Sequence, residues 1–262
     1  MPAETHTLLD DILEPGRLSV MFQPIFEVAS ARPTLHAIEC LIRGPRGSNL
    51  ERPTVLFEYV RRRRAEAAVD RACIRTAFTE ASCLGGVPRL SVNVHASTLG
   101  RDGSFPAFLL DTAAGSGIDP GRLIVEIVEH APREVDVPSF RGALATLRAA
   151  GVAVALDDVG LGESNYRMIL DVRPDIYKLD RYLVDNAWND PYRQVILDSL
   201  ARMVRRLEAR TVAEGVETRQ ELVAVEAAGI DLVQGYFFAQ PLSREDLVAT
   251  GFLAGLPPVG SS

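Results

Sequence analysis

The chain has 262 residues, 47% of them hydrophobic and 24% charged, an ordinary globular composition with length for one large core or two small domains. Its net charge of −7 argues against a surface that coats a nucleic-acid polymer, although an acidic protein binds phosphates where divalent cations neutralise its carboxylates. Cys40, Cys73 and Cys83 fit neither a disulfide framework nor a thiolate zinc site. The polar start Met1-Pro-Ala-Glu-Thr-His6 is no signal peptide, and no apolar stretch nears the roughly 18 residues that span a bilayer, so a soluble cytoplasmic protein with no membrane partner is expected.

In chain order, residues 20–28 form a β-rich run in which Pro24 removes a ladder donor and predicts an edge or a bulge. A strand at 35–43 follows, then helices at about 53–62 and 65–84, the second expected to stop at Gly85-Gly86. Strand 89–95, a helix near 104–117, strand 122–129 and a helix at 138–150 come next, with Gly151 placed to end that helix. Strand 152–157, a loop and short helix at 158–173, strand 175–179, helix 191–208 and strand 210–214 continue the alternation. Helix 218–228 stops at Gly229, strand 231–237 follows, and Ser243 opens a last helix with Glu245 and Asp246 in its first turn. Strands alternating with helices imply βαβ units and a parallel sheet, and about 250 residues suit a closed eight-unit barrel. One domain over 1–262 is expected, its core at about 18–250, with frayed ends at 1–10 and 255–262.

Seven of these strands contain, or run into, one polar residue: Glu39, Asn93, Glu126, Asp157-Asp158, Lys178, Glu214 and Gln234. A carboxylate in a short β run is costly to bury unless it is paired or holds a cation. A parallel barrel brings all those strand ends to one face, so the pattern reads as an acidic metal centre. Two acids in succession, Asp157 and Asp158, would point to opposite sides of a regular strand, which suggests that the chain has already left β geometry there. Oxygen ligands with few histidines favour Mg²⁺ or Mn²⁺ over zinc. Two such ions about 3.5–4 Å apart could share one Asp and clamp a phosphoryl displacement.

Phe22-Gln-Pro-Ile25, Glu39-Cys-Leu41 with Arg43, Asn93 within Ser91-Val-Asn93, and Glu126-Ile-Val-Glu129 stand in register with Asp157-Asp-Val-Gly-Leu-Gly162. Lys178-Leu-Asp180, Ala213-Glu-Gly-Val-Glu217 and Gln234-Gly-Tyr236 complete the series. Together they resemble the EAL domain, the bacterial phosphodiesterase that opens cyclic di-GMP to linear pGpG, over about Leu18 to Leu247. The resemblance implies a modified TIM-like (β/α)8 barrel whose first strand is antiparallel. It implies that Glu39, Asn93, Glu126 and Asp157 bind one cation and that Asp157, Asp158 and Glu214 serve a second. Lys178 would orient the attacking water beside Glu214 and Asp158, Gln23 and Arg43 would contact the substrate, and Asp180, Gln234 and Glu217 would support that side. Mg²⁺ or Mn²⁺ would be the cofactor, Ca²⁺ would inhibit, and a homodimer through the loop after the fifth strand would be a family-like contact.

The chain departs from the family pattern at Cys40 for Ala, Val128 for Thr beside Glu129, Val159 for Phe, Leu161 for Thr, and at Glu163. Every ligand is retained, so the first reading is an active hydrolase in second-messenger signalling. The alternative is a non-catalytic module that binds cyclic di-GMP or a protein partner as a regulator. Arg61–Arg64 and Arg205-Arg206 read as solvated, His36, His95 and His130 as structural, His6 as part of the loose N-terminus, and Cys73 and Cys83 as helix core positions.

Overall fold

The computed structural model describes residues 7–28, 32–128, 136–160 and 165–255. Its elements run α1 Leu8–Leu13, β1 Ser19–Glu27, β2 Thr34–Arg43, α2 Pro53–Arg63, α3 Glu66–Ala81, β3 Leu90–His95, α4 Ala96–Arg101 and α5 Phe105–Gly115. They continue with β4 Leu123–Val128, α6 Val137–Ala149, β5 Ala153–Val159, α7 Asn165–Val172, β6 Ile176–Leu179 and α8 Arg181–Val184. The last are α9 Pro191–Arg206, β7 Arg210–Ala213, α10 Arg219–Ala227, β8 Leu232–Val233 and α11 Arg244–Ala249. The strands close in chain order into one barrel. β1 runs antiparallel to both β2 and β8, and each remaining neighbouring pair is parallel.

Two apolar layers follow from strands that are buried on both faces. Ile25, Ala37, Ile124, Ala155, Ile176, Val212 and Leu232 meet inside the barrel. Ile38, Cys40, Val92, Val125 and Val154 alternate with them and point outward into the larger core under the helices. Helices α2, α3, α5, α6, α9 and α10 start within a residue of where the sequence predicts. Pro occupies the first turn of α2, α5, α6 and α9, Asp136 and Asp190 cap α6 and α9, and Thr218 with Glu221 forms a capping box on α10. Gly151 and Gly229 take left-handed φ values of 91° and 77° just past α6 and α10, as expected of helix stops.

Several expectations need correction. α3 ends at Ala81, before the glycine pair, with Ser82 as its C-cap and the Ser82 hydroxyl donating to the Thr79 carbonyl. Gly86 serves a close approach instead: a Cβ there would lie 2.6 Å from the Leu253 carbonyl oxygen. Cys83 therefore falls outside the helix and is exposed, whereas Cys73 is buried as expected. Strand β8 has two residues, since the chain leaves it at Gln234 to bond the loop after β7: Val216 N–H donates to Gln234 O at 3.1 Å and Phe237 N–H to Val216 O at 3.0 Å. Pro24 is not on an edge, because the barrel is closed, but a bulge does follow it between Ile25 and Phe26. Residues 8–10, expected to fray, open α1 under a Thr7–Asp10 capping box. No helix among the described residues is long and apolar enough to cross a membrane.

His36 sits at the N-terminal end of the barrel, with Nε2 3.5 Å from an Arg89 nitrogen and Nδ1 3.3 Å from an Arg210 nitrogen. Burial, and then the charges of Arg210 and Arg89, push its pKa from 6.5 down to about 4. The folded chain thus binds this proton more weakly than the unfolded chain, so the contribution is intact above pH 6.5 and is lost as pH falls towards 4. After discounting for partial exposure, the loss should reach about 1–2 kcal/mol. His36→Gln should therefore flatten the fall in melting temperature between pH 6.5 and 4 relative to the parent. Parallel melting curves for the two proteins would contradict it.

Candidate metal centre

The barrel interior changes character over one pleat. Each member of its apolar layer is followed two residues later, on the same face of its strand, by a polar one. Ala37 leads to Glu39, Ile124 to Glu126, Ala155 to Asp157, Ile176 to Lys178, Val212 to Glu214 and Leu232 to Gln234. On antiparallel β1 the order reverses, and Gln23 precedes Ile25 by two. Asn93 stands beside Glu126 in the β3–β4 register and completes the ring. The apolar floor excludes water from below, so these groups must satisfy one another or bind something from above.

Lys178 is the hub. Its Nζ lies 2.6 Å from Glu126, 2.8 Å from Glu214, 3.2 Å from Glu39 and 3.7 Å from Asp157, and its side chain is 2% exposed. Asn93 donates to Glu39 Oε1 at 2.9 Å, and Gln234 donates to Glu39 Oε2 at 2.7 Å and to Gln23 Oε1 at 3.1 Å. Gln23 in turn donates to the Ala239 carbonyl at 3.2 Å. Ser91, which sequence reasoning missed, donates to Glu126 Oε1. The available signal was its position two residues before Asn93, on the same face.

One ammonium cannot neutralise this many acids. Burial, then the charge of Glu39, raises the Glu126 pKa to about 8, and burial also lifts Glu214 well above the usual carboxylate range. Glu39 goes the other way: burial opposes its charge, but Lys178 and the amides of Gln234 and Asn93 prevail and hold it low. Burial would lower Lys178, yet Asp157, Glu126, Glu214 and Glu39 together hold it well above its ordinary value.

The second acid of the pair is set apart by backbone geometry. Asp158 takes a left-handed φ of 54°, and the β5–β6 register shifts between Leu156 and Val159, so the chain has left regular β structure as the doublet suggested. Asp157, Asp158 and Glu214 thereby present ligand oxygens within 4.8 Å of one another. Burial, then Asp157 and Asp180, raise the Asp158 pKa to about 6. Asp157 Oδ1 is buried with no hydrogen-bond partner among the described residues. An orphaned buried carboxylate oxygen, an excess of acids over cations and an all-oxygen donor set fit a hard divalent cation.

The other expected residues lie on the rim. Asp180 caps α8 through the Tyr182 N–H at 2.6 Å, Glu217 pairs with Arg181 at 2.7 Å, and Arg43 curls back onto the carbonyls of Leu41 and Ile42. A cavity of about 310 Å³ joins rim to centre, with Glu39, Arg43, Phe57, Asn93, His95 and Asp157 among its walls. Glu129, His130, Leu161 and Glu163 lie outside the described residues, and so does most of the loop expected to mediate a dimer contact.

A family model described as the EAL domain matches residues 6–241. The chain belongs to the EAL family. Its structure is similar to that of Klebsiella pneumoniae BlrP1 in a manganese and cyclic di-GMP complex, with TM-score 0.76, 29% identity, and coverage of 88% of this chain and 57% of that one. It is also similar to a standalone EAL protein from Vibrio cholerae O395 in its cyclic di-GMP-bound form, with TM-score 0.75, 27% identity, and coverage of 87% and 93%. The Escherichia coli K12 protein PdeG, a probable cyclic di-GMP phosphodiesterase, is 36% identical over 126 residues, which are 48% of this chain and 25% of PdeG. The chain spans about a fifth to a half of the length of the curated relatives it matches.

Proposed function

We propose that this EAL domain is a divalent-cation-dependent phosphodiesterase that hydrolyses cyclic di-GMP to linear pGpG. The observation that carries the reading is the polar layer above the barrel's apolar floor, where Lys178 gathers Glu39, Glu126, Asp157 and Glu214, Asn93 bonds Glu39, and Asp158 has a ligand oxygen within 4.8 Å of those of Asp157 and Glu214. Glu39, Asn93, Glu126 and Asp157 would hold one cation, and Asp157, Asp158 and Glu214 the other. Cations bound there supply Lewis-acid polarisation of a phosphoryl oxygen and a water acidified towards neutral pH. Lys178 keeps its protons among the acids, so its Nζ acts as a donor that orients the attacking water. Attack by the water oxygen on one phosphorus breaks the bond to the 3′ oxygen, which takes up a proton and leaves the chain linear. Gln23, Gln234 and Arg43 would bind the substrate around that phosphate, with Asp180 and Glu217 fixing the loops beside it. Similarity to PdeG and to two cyclic di-GMP complexes supports this substrate class.

The test is incubation of the purified protein with cyclic di-GMP and Mg²⁺, Mn²⁺ or Ca²⁺, followed by separation of products and calorimetric binding. Mg²⁺ and Mn²⁺ should each yield pGpG. Ca²⁺ takes six to eight oxygens at about 2.3–2.6 Å, against about 2.0–2.1 Å for Mg²⁺. The looser geometry should permit binding and give no pGpG. Binding without product in all three cations would replace the enzyme with a regulatory sensor, and no binding would leave a protein-interaction role.

A further inference from the structure

The two sides of β3 are held differently. Toward β4 it pairs along its whole length, from Leu90↔Leu123 to His95↔Val128. Toward β2 the pairing covers only Ile38↔Leu90, Glu39↔Ser91 and Cys40↔Val92. The last three residues, Asn93 to His95, therefore have no strand on that side. The cavity beside the polar layer opens there.

A side chain from α3 replaces the missing strand. Asp70 Oδ2 accepts the His95 backbone N–H at 3.0 Å and the Thr98 hydroxyl at 2.6 Å. Asp70 is 5% exposed, so its carboxylate is committed to these partners and not to solvent. The helix that carries it is itself fixed. The neighbouring Arg71 donates to Asp102 Oδ2 at 2.6 Å and to Ser104 Oγ at 2.7 Å, which ties α3 to the turn between α4 and α5. Asn93 thus lies between the last residue paired with β2 and a residue clamped by Asp70. Its amide donates to Glu39, whose strand partner is Ser91, two residues before Asn93.

We infer that Asp70 is a positioning residue for the metal centre: by holding His95 and Thr98 it sets the placement of Asn93 opposite Glu39. The inference rests on the metal-centre reading above. Groups that orient ligands without touching the cation typically matter by about 10–100-fold in affinity, which sets the scale here.

Mn²⁺ binding by titration calorimetry, with cation-free melting temperatures alongside, tests it. Asp70→Ala should weaken Mn²⁺ binding by about tenfold or more. Asp70→Asn, which keeps a carbonyl oxygen for both donors, should stay within about threefold of the parent. Leu109→Ala, which truncates a fully buried residue of α5 and leaves every hydrogen bond of the clamp in place, should lower the melting temperature without moving Mn²⁺ affinity. If Asp70→Ala does not fold, Thr98→Val removes one arm of the clamp and should weaken Mn²⁺ by about threefold or more. Unchanged Mn²⁺ affinity in Asp70→Ala, or in Thr98→Val where that variant is needed, would overturn the inference. Equal weakening in Leu109→Ala would overturn it too. Absence of Mn²⁺ binding in the parent would instead remove the metal-centre reading, and this inference with it.

Discussion

Asp157→Asn should abolish turnover and leave the fold intact. Asp157 is the residue that both proposed cation sites require, and its Oδ1 is the buried oxygen left without a partner. The amide keeps the size of the side chain but removes a charge that two cations would share. A loss above a hundredfold, about 3 kcal/mol of transition-state stabilisation, is the expected scale. Stability should move the other way. Asp157 adds to the repulsion that raises Glu126, Glu214 and Asp158, and its only cationic neighbour among the described residues is 3.7 Å away. Neutralising it should leave the cation-free melting temperature unchanged or slightly higher. More than about a tenth of parental activity at saturating Mg²⁺ would contradict the shared-ligand role.

The ring of site residues was legible because a strand has a period of two. Once Ala37, Ile124, Ile176 and Leu232 are recognised as inward-facing, Glu39, Glu126, Lys178 and Gln234 must face the same interior. The Asp157-Asp158 doublet announced its own departure from β geometry, since one strand cannot aim both acids inward. What stayed hidden depends on three-dimensional neighbours. Lys178 reads in the sequence as the group that orients the water, but its close approach to Glu126 and Glu214, nearer than Asp157, is not legible there, because barrel closure sets distances that strand order does not. Asp70 lies in the helical run Val69-Asp-Arg71, where an acid beside a base reads as a solvated pair, and only its contact with β3 reveals otherwise. The short helices α4 and α8 escaped notice because β3 and β6 feed into them with no intervening loop, through His95 and Asp180 as caps.

Replacing Lys178 should expose what the cations and the ammonium have in common. Without a cation, Lys178 is the counter-ion of Glu39, Glu126 and Glu214 in a site closed from below by apolar side chains. Breaking a buried ion pair by removing one partner costs about 3–5 kcal/mol, because the other charge is left behind. Here the acids have an escape, since Glu126 already titrates at about 8 and Glu214 is also raised, so they take up protons and limit the cost. Lys178→Met should therefore lose about 2–3 kcal/mol without cations, or about 4–12 °C of melting temperature for a chain of this size. Mn²⁺ should restore more stability to Lys178→Met than it adds to the parent, because it supplies charge that the parent already partly has. Turnover should stay at least a hundredfold down even at saturating Mn²⁺, since the water would lose its orienting donor. A cation-free melting temperature equal to the parent's would show that the acids are not held by Lys178. An equal Mn²⁺-induced rise in the two proteins would show that the cation binds elsewhere.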